Sequence, residues 1–191
     1  MSALRNEVIL VRHGATEWSE NGRHTGRTDL PLTDKGLDQA RAVSSRLRGR
    51  SFALVLTSPL QRARATCELA GYGDRSEVAD DLLEWDYGDY EGRTTAEIRE
   101  TVPGWTVWSH ELPNGESIER VAARADRVIE RALATDGDTA LFAHGHILRV
   151  LTARWCELVP QEGRRFVLGT GTLSVLGWEH EYRTIRVWNN G

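Results

Sequence analysis

Strand-like apolar runs alternate with helix-spaced segments along this 191-residue chain, which predicts a three-layer α/β/α fold with a mainly parallel central sheet. Three observations carry that expectation. V-I-L-V at 8–11 and T-A-L-F-A at 139–143 are continuous apolar runs, the pattern of strands covered on both faces. Several intervening segments repeat apolar residues at every third or fourth position, as amphipathic helices require. The length suits a single domain over residues 1–191 with one sizeable core.

Taken in order, the first strand ends in R-H-G-A-T-E-W. Arg12, His13 and Gly14 therefore fall at a strand's carboxyl end, where open α/β sheets bind ligands. Gly14 is expected to let the backbone approach a ligand, and Thr16 to add a hydroxyl donor in the same turn. Residues 19–32, S-E-N-G-R-H-T-G-R-T-D-L-P-L, form a loop too long and too rich in donors to be only a connector. Thr33 and Asp34 are good N-cap residues for a helix carrying Leu37, Ala40, Val43 and Leu47, which Gly49 stops. F-A-L-V-L at 52–56 is the next strand. Ser58 and Pro59 then read as the cap and first residue of a helix with Gln61 and Arg62 in its first turn.

A short strand near 77–79 leads into D-D-L-L-E-W-D-Y-G-D-Y-E-G at 80–92. Glu84 and Asp86 have the composition of exposed loop acids, yet Trp85 and Tyr87 beside them argue for partial enclosure, where a carboxyl group holds a proton more easily. A short helix over 94–100 ends at Pro103 and Gly104, and Trp105 and Trp108 follow in an irregular segment read as lid or rim packing. Ser117 or Asn114 caps the longest helix, with Ile118, Val121, Ala122, Ala125, Val128, Ile129 and Leu133 at helical spacing. After the strand at 139–143 comes A-H-G-H, then a helix over 148–158. Residues 172–178 and 182–188 read as an antiparallel pair at the sheet edge, with His180 in the turn.

Composition excludes several classes of function. A net charge of −4 speaks against a broad nucleic-acid-binding face. No apolar run is long enough to span a bilayer, and M-S-A-L-R-N-E has no apolar targeting core, so a cytoplasmic location is expected. Cys67 and Cys156 lack metal or redox spacing and read as ordinary buried thiols.

Two buried strands that each deliver a histidine to one sheet edge place His13 beside His144. Adding Arg62 from the next strand's helix yields a cluster of Arg12, His13, Arg62 and His144, with Glu84 as carboxyl partner. Guanidinium and imidazole donors converging on one point suit a tetrahedral anion such as phosphate. Neighbouring positive charge keeps His13 neutral and nucleophilic, and the same cations stabilise charge on oxygen during in-line transfer.

Six motifs in order resemble those of the histidine phosphatases, a superfamily with a phosphoglycerate mutase-like fold: R-H-G-A-T-E-W, T-G-R-T-D-L-P-L-T-D-K-G, S-P-L-Q-R-A-R-A-T, L-L-E-W-D-Y-G-D-Y-E-G, N-G-E-S and A-H-G-H. The resemblance covers nearly the whole chain. It implies that His13 is phosphorylated transiently, that Arg12, Arg62 and His144 hold the phosphoryl group, and that Glu84 is the acid and then the base. It also implies phosphate or substrate contacts from Thr25, Gly26, Ser19, Tyr87 and Gly145, with no metal and no other cofactor. Ser19 stands where the family often has Asn.

Within the family, the details resemble a branch of sugar-bisphosphate phosphatases and small acid phosphatases. Mutases carry a longer, basic insertion after the acid loop; here 93–113 is short, with only Arg93, Arg99 and His110 as basic residues, which favours hydrolysis. The alternatives are a cofactor-dependent phosphoglycerate mutase and a non-catalytic phosphosugar-binding protein. A metal-dependent hydrolase using His144 and His146 lacks a matching carboxylate cluster. A small phosphorylated substrate, a possible homodimer and a pH optimum on the acid side of neutral are expected.

Overall fold

In the computed structural model, which describes residues 6–191, six strands form one mixed sheet in the order β3-β2-β4-β1-β5-β6. The M-S-A-L-R opening lies outside the described residues. Strand β1 (Val8–Arg12) runs parallel to β4 (Thr139–Ala143), which runs parallel to β2 (Leu54–Thr57), and β2 pairs with the two-residue β3 (Glu77–Val78). On the other side, β5 (Leu173–Glu179) is antiparallel to β1 and to β6 (Tyr182–Asn190). Two residues join this edge hairpin, one of them His180 at φ 53°.

Side chains alternate across the sheet, so each face has its own core. Ile9, Val11, Val55, Ala140 and Phe142 pack under helices α2 (Asp34–Leu47) and α3 (Gln61–Leu69), through Val43, Leu47 and Cys67. Val8, Leu10, Leu56 and Leu141 pack under α5 (Ile118–Leu133) and α6 (Gly145–Trp155). The short helices α1 (Glu17–Asn21) and α4 (Thr95–Arg99) sit in the loops, each with a capping box, at Thr16 and Thr94. Cys67 and Cys156 are free thiols, and no helix among the described residues is long and apolar enough to cross a membrane.

Three local expectations are corrected. Helix α3 starts at Gln61 with Leu60 in the cap position, because the Ser58 hydroxyl bonds the ring of His144 and the Gln61 N–H goes to Asp29. Helix α6 starts at Gly145, three residues early, with its first-turn N–H groups occupied by a carboxylate. Gly14 does allow a close approach, but to protein: a Cβ there would lie 2.2 Å from the Gly36 carbonyl oxygen, and one on Gly36 would lie 2.1 Å from that of Ala15. The R-H-G turn is thus laid backbone to backbone on the first turn of α2.

Candidate active site

Register alone brings the two histidines together. Arg12 is opposite Ala143, so the next residues, His13 and His144, leave adjacent parallel strands side by side, with ring centroids 5.1 Å apart. The His13 N–H extends the ladder to the Ala143 carbonyl, and Ser58 does the same from β2 to Phe142. Ser58, His144 and His13 therefore form a row across three strand ends.

His13 is buried, and its Nδ1 lies 2.6 Å from the Gly14 carbonyl, which can only accept. The proton therefore resides on Nδ1, leaving Nε2 with a free lone pair. Burial, then the charges of Arg62 and Arg12, hold the His13 pKa well below the usual imidazole value. The ring is neutral at physiological pH, as a nucleophile must be.

His144 is also kept neutral, by burial and then Arg62. Its Nδ1 accepts from Arg62 Nε at 3.1 Å, so Nε2 carries the hydrogen donated to Ser58 Oγ at 2.7 Å. Arg62 further donates to the carbonyls of Thr28, Gly26 and Thr25, which fastens the 19–32 loop to the strand ends. Both His144 nitrogens are engaged, and any direct contact with a phosphoryl group requires one bond to be released. Arg12 is different. Its Nη1 donates to the Leu168 carbonyl, while its Nε is buried and unpartnered among the described residues. An unsatisfied guanidinium N–H beside a bare imidazole nitrogen is the arrangement an anion completes.

Glu84 faces this pair. Its Oε1 accepts from the N–H groups of Trp85 and Ile147, and its Oε2 from that of His146, all at 2.9 Å. Both Oε1 lone pairs are used, which leaves Oε2 as the oxygen able to carry or accept a proton. Burial lowers the pKa of Arg12 and Arg62, and the Glu84 charge opposes that shift.

A cavity of about 100 Å³ is lined by Arg12, His13, Ser19, Thr25, Glu84, Tyr87 and Gly145, all named in the sequence reading. Arg62 and His144 stand behind this wall. Gly26 is drawn away from it: its N–H goes to Glu91 and its carbonyl to Arg62. Thr16 serves as the α1 cap instead of facing a ligand, and the Ser19 hydroxyl donates to the Thr16 carbonyl. The wall also contains Arg23, His24, His146, Arg149 and Leu168, which sequence reasoning missed.

Tyr87 and His146 form a unit in this outer wall. Burial raises the Tyr87 pKa and lowers that of His146, so the phenol donates to the His146 Nδ1 at 2.6 Å. His24, its pKa lowered by burial to about 4, packs on Tyr87 and Trp105. Trp105 is fully buried, and Trp108 is held between the Arg149 guanidinium and the rings of Trp85 and His146. Neither is a lid.

A family model described as the histidine phosphatase superfamily (branch 1) matches residues 8–191. The chain belongs to that superfamily. This histidine phosphatase is 41% identical over 191 residues to an acid phosphatase of Mycobacterium tuberculosis, covering 98% of this chain and 94% of that one. It is 38% identical over 194 residues to the sedoheptulose 1,7-bisphosphatase of Saccharomyces cerevisiae, covering 85% and 72%. A solved structure of an open reading frame product from Mycobacterium tuberculosis matches with a TM-score of 0.92 at 40% identity, over 97% of each chain. The enzyme is a phosphomonoesterase with the α/β fold of that family.

Proposed function

We propose that this phosphatase hydrolyses sugar phosphates or bisphosphates as a single domain over residues 1–191, in the cytoplasm and without metal or other cofactor, by passing the phosphoryl group through His13. The observation that carries the reading is the His13 ring: neutral, fixed by Gly14 at Nδ1, and bare at Nε2 on the cavity wall. In the first half-reaction Nε2 attacks phosphorus, the ester P–O bond breaks, and the departing oxygen takes the proton from Glu84 Oε2. In the second, water attacks the phosphohistidine, Glu84 accepts its proton, and the N–P electron pair returns to His13. Arg12 stabilises the equatorial oxygens, and Arg62 and His144 hold His13 and the loop in register around them.

The outer wall supports a substrate with a second anionic group. Arg23 and Arg149 line the same cavity as the nucleophile, and Arg149 uses Nε and Nη2 on the carbonyls of Gly163 and Arg164, leaving Nη1 without a protein acceptor among the described residues and open to a ligand. A second phosphate suits this end, as does the carboxylate of a phosphoglycerate. The test is rapid quenching with substrate followed by mass spectrometry, which should find a phosphoryl group on His13. Absence of the adduct, with solvent oxygen entering phosphate by direct displacement, would sink the covalent route. A phosphate-release screen over sugar mono- and bisphosphates, 3-phosphoglycerate and aryl phosphates then ranks the substrate classes.

A further inference from the structure

The N-G-E-S motif at 114–117 has no part in the chemistry above, yet it ends in a buried ion pair. Glu116 and Arg124 are each 9% exposed, and the pair is bidentate, with Nε on Oε1 and Nη2 on Oε2, both at 2.8 Å. The rest of Arg124 does not face solvent. Nη1 donates to the carbonyls of Asp81 and Leu83, each at 2.8 Å, on the chain immediately before Glu84. Glu116 holds the chain immediately after it: its N–H donates to the Asp86 carbonyl at 2.9 Å, and its carbonyl accepts from Trp85 Nε1 at 2.7 Å. Gly88, at φ 54°, brings the acid loop against the same motif so closely that a Cβ would lie 2.4 Å from the Gly115 nitrogen.

We infer that the Glu116–Arg124 pair is the positioning device of the proton donor, gripping the acid loop on both sides of Glu84 so that the carboxyl meets the leaving oxygen. The inference rests on the reading of Glu84 as the acid. Burying two charges is costly, and hydrophobic replacement of such pairs is often neutral for stability, so stability alone does not account for this pair, whereas its bonds to the loop do. Neither side chain lines the cavity, and both act through the loop. Arg27 adds a weaker tie, 3.9 Å from Glu116 and 3.8 Å from Asp86.

The test compares Arg124→Lys, Glu116→Gln and Glu116→Asp with Glu84→Gln on two substrates: glycerol phosphate, whose leaving oxygen needs a proton, and p-nitrophenyl phosphate, whose leaving group does not. A displaced reacting group costs roughly a hundredfold per ångström, so Arg124→Lys and Glu116→Gln should lose roughly ten- to a hundredfold in kcat on glycerol phosphate. On p-nitrophenyl phosphate the loss should stay within about threefold, the KM values should hold, and Glu116→Asp should recover part of the activity. Equal losses on both substrates, with Glu84→Gln still selective for the poor leaving group, would reduce the pair to a structural role and overturn the inference alone. If Glu84→Gln itself shows no leaving-group selectivity, the assignment of the acid fails and the inference falls with it. Should Arg124→Lys fail to fold, the two Glu116 variants decide the matter.

Discussion

The two ends of the cavity are built on different principles. The inner end is made where the sheet stops: Arg12 and His13 line it with Ser58 and His144 behind them, all four follow directly from paired strands, and their spacing is that of the β ladder. The outer end is made of loop and helix side chains from three separate segments, Arg23 and His24, Tyr87, and His146 with Arg149, and Trp108 packs against the last two. The inner end admits little variation, because moving one residue moves a strand. The outer end can be rebuilt one side chain at a time. On the proposed reading, reaction type belongs to the strand ends and the acid loop they face, and substrate choice to the outer side chains.

Replacing the nucleophile tests that division most severely. His13→Ala should lower turnover by roughly a thousandfold or more on every substrate, the scale expected of a lost nucleophile, while inorganic phosphate still protects the protein in a thermal shift. Undiminished hydrolysis would remove the inner end from the chemistry. Glu84→Gln should cost roughly a hundredfold on alkyl esters and far less on p-nitrophenyl phosphate. Equal losses on both would show that it is not the acid.

The outer end should respond by substrate and not by reaction. If Arg149 binds a second phosphate as proposed, Arg149→Met removes a charge-assisted contact of about 1.5–3 kcal/mol, so kcat/KM for a sugar bisphosphate should fall roughly tenfold or more while a monophosphate is nearly unaffected. A uniform loss would blur the boundary between the two ends. Tyr87→Phe deletes one hydrogen bond, to His146, worth about 1 kcal/mol net, and kcat/KM should drop roughly fivefold.

The smallest expected effect is a flat line. Burial and the neighbouring guanidinium groups hold the His13 pKa well below 6.5, so the ring gains a proton only at pH values well below that, and the neutral form persists as pH falls from 7 through 6.5. Hydrolysis of p-nitrophenyl phosphate should show no loss with a midpoint near 6.5. A sigmoidal decline there would mean an ordinary, solvated imidazole.

What was legible in the sequence follows the same division. V-I-L-V-R-H-G and T-A-L-F-A-H-G announce buried strands with polar residues at their ends, because short continuous apolar runs suit strands covered on both faces. A helix predicted to start at Leu148 leaves His146 outside it and hides the relation of Arg149 to the site. With the start at Gly145, His146 and Arg149 fall three apart on one helix face, and that spacing would have flagged them as neighbours at the cavity. Nothing comparable marks His24, whose place depends on a loop pinned by Arg62 from 38 positions away along the chain. Residue type alone makes the hydroxyls of Ser58, Thr16 and Ser19 candidates for caps or ligands; a tertiary partner settles the matter at Ser58, and a local capping box at the other two.

The pairing of β1 with β4 joins residues separated by most of the polypeptide, since Arg12 meets Ala143. Contacts so distant along the chain are slow to form, because a large loop must close before the pairing returns any stability. A nascent chain emerging from the ribosome thus carries its reactive imidazole without the surroundings that sharpen it. Competence should arrive abruptly and late in refolding, together with the central ladder, and no shortened fragment ending before β4 is expected to act on a phosphoester.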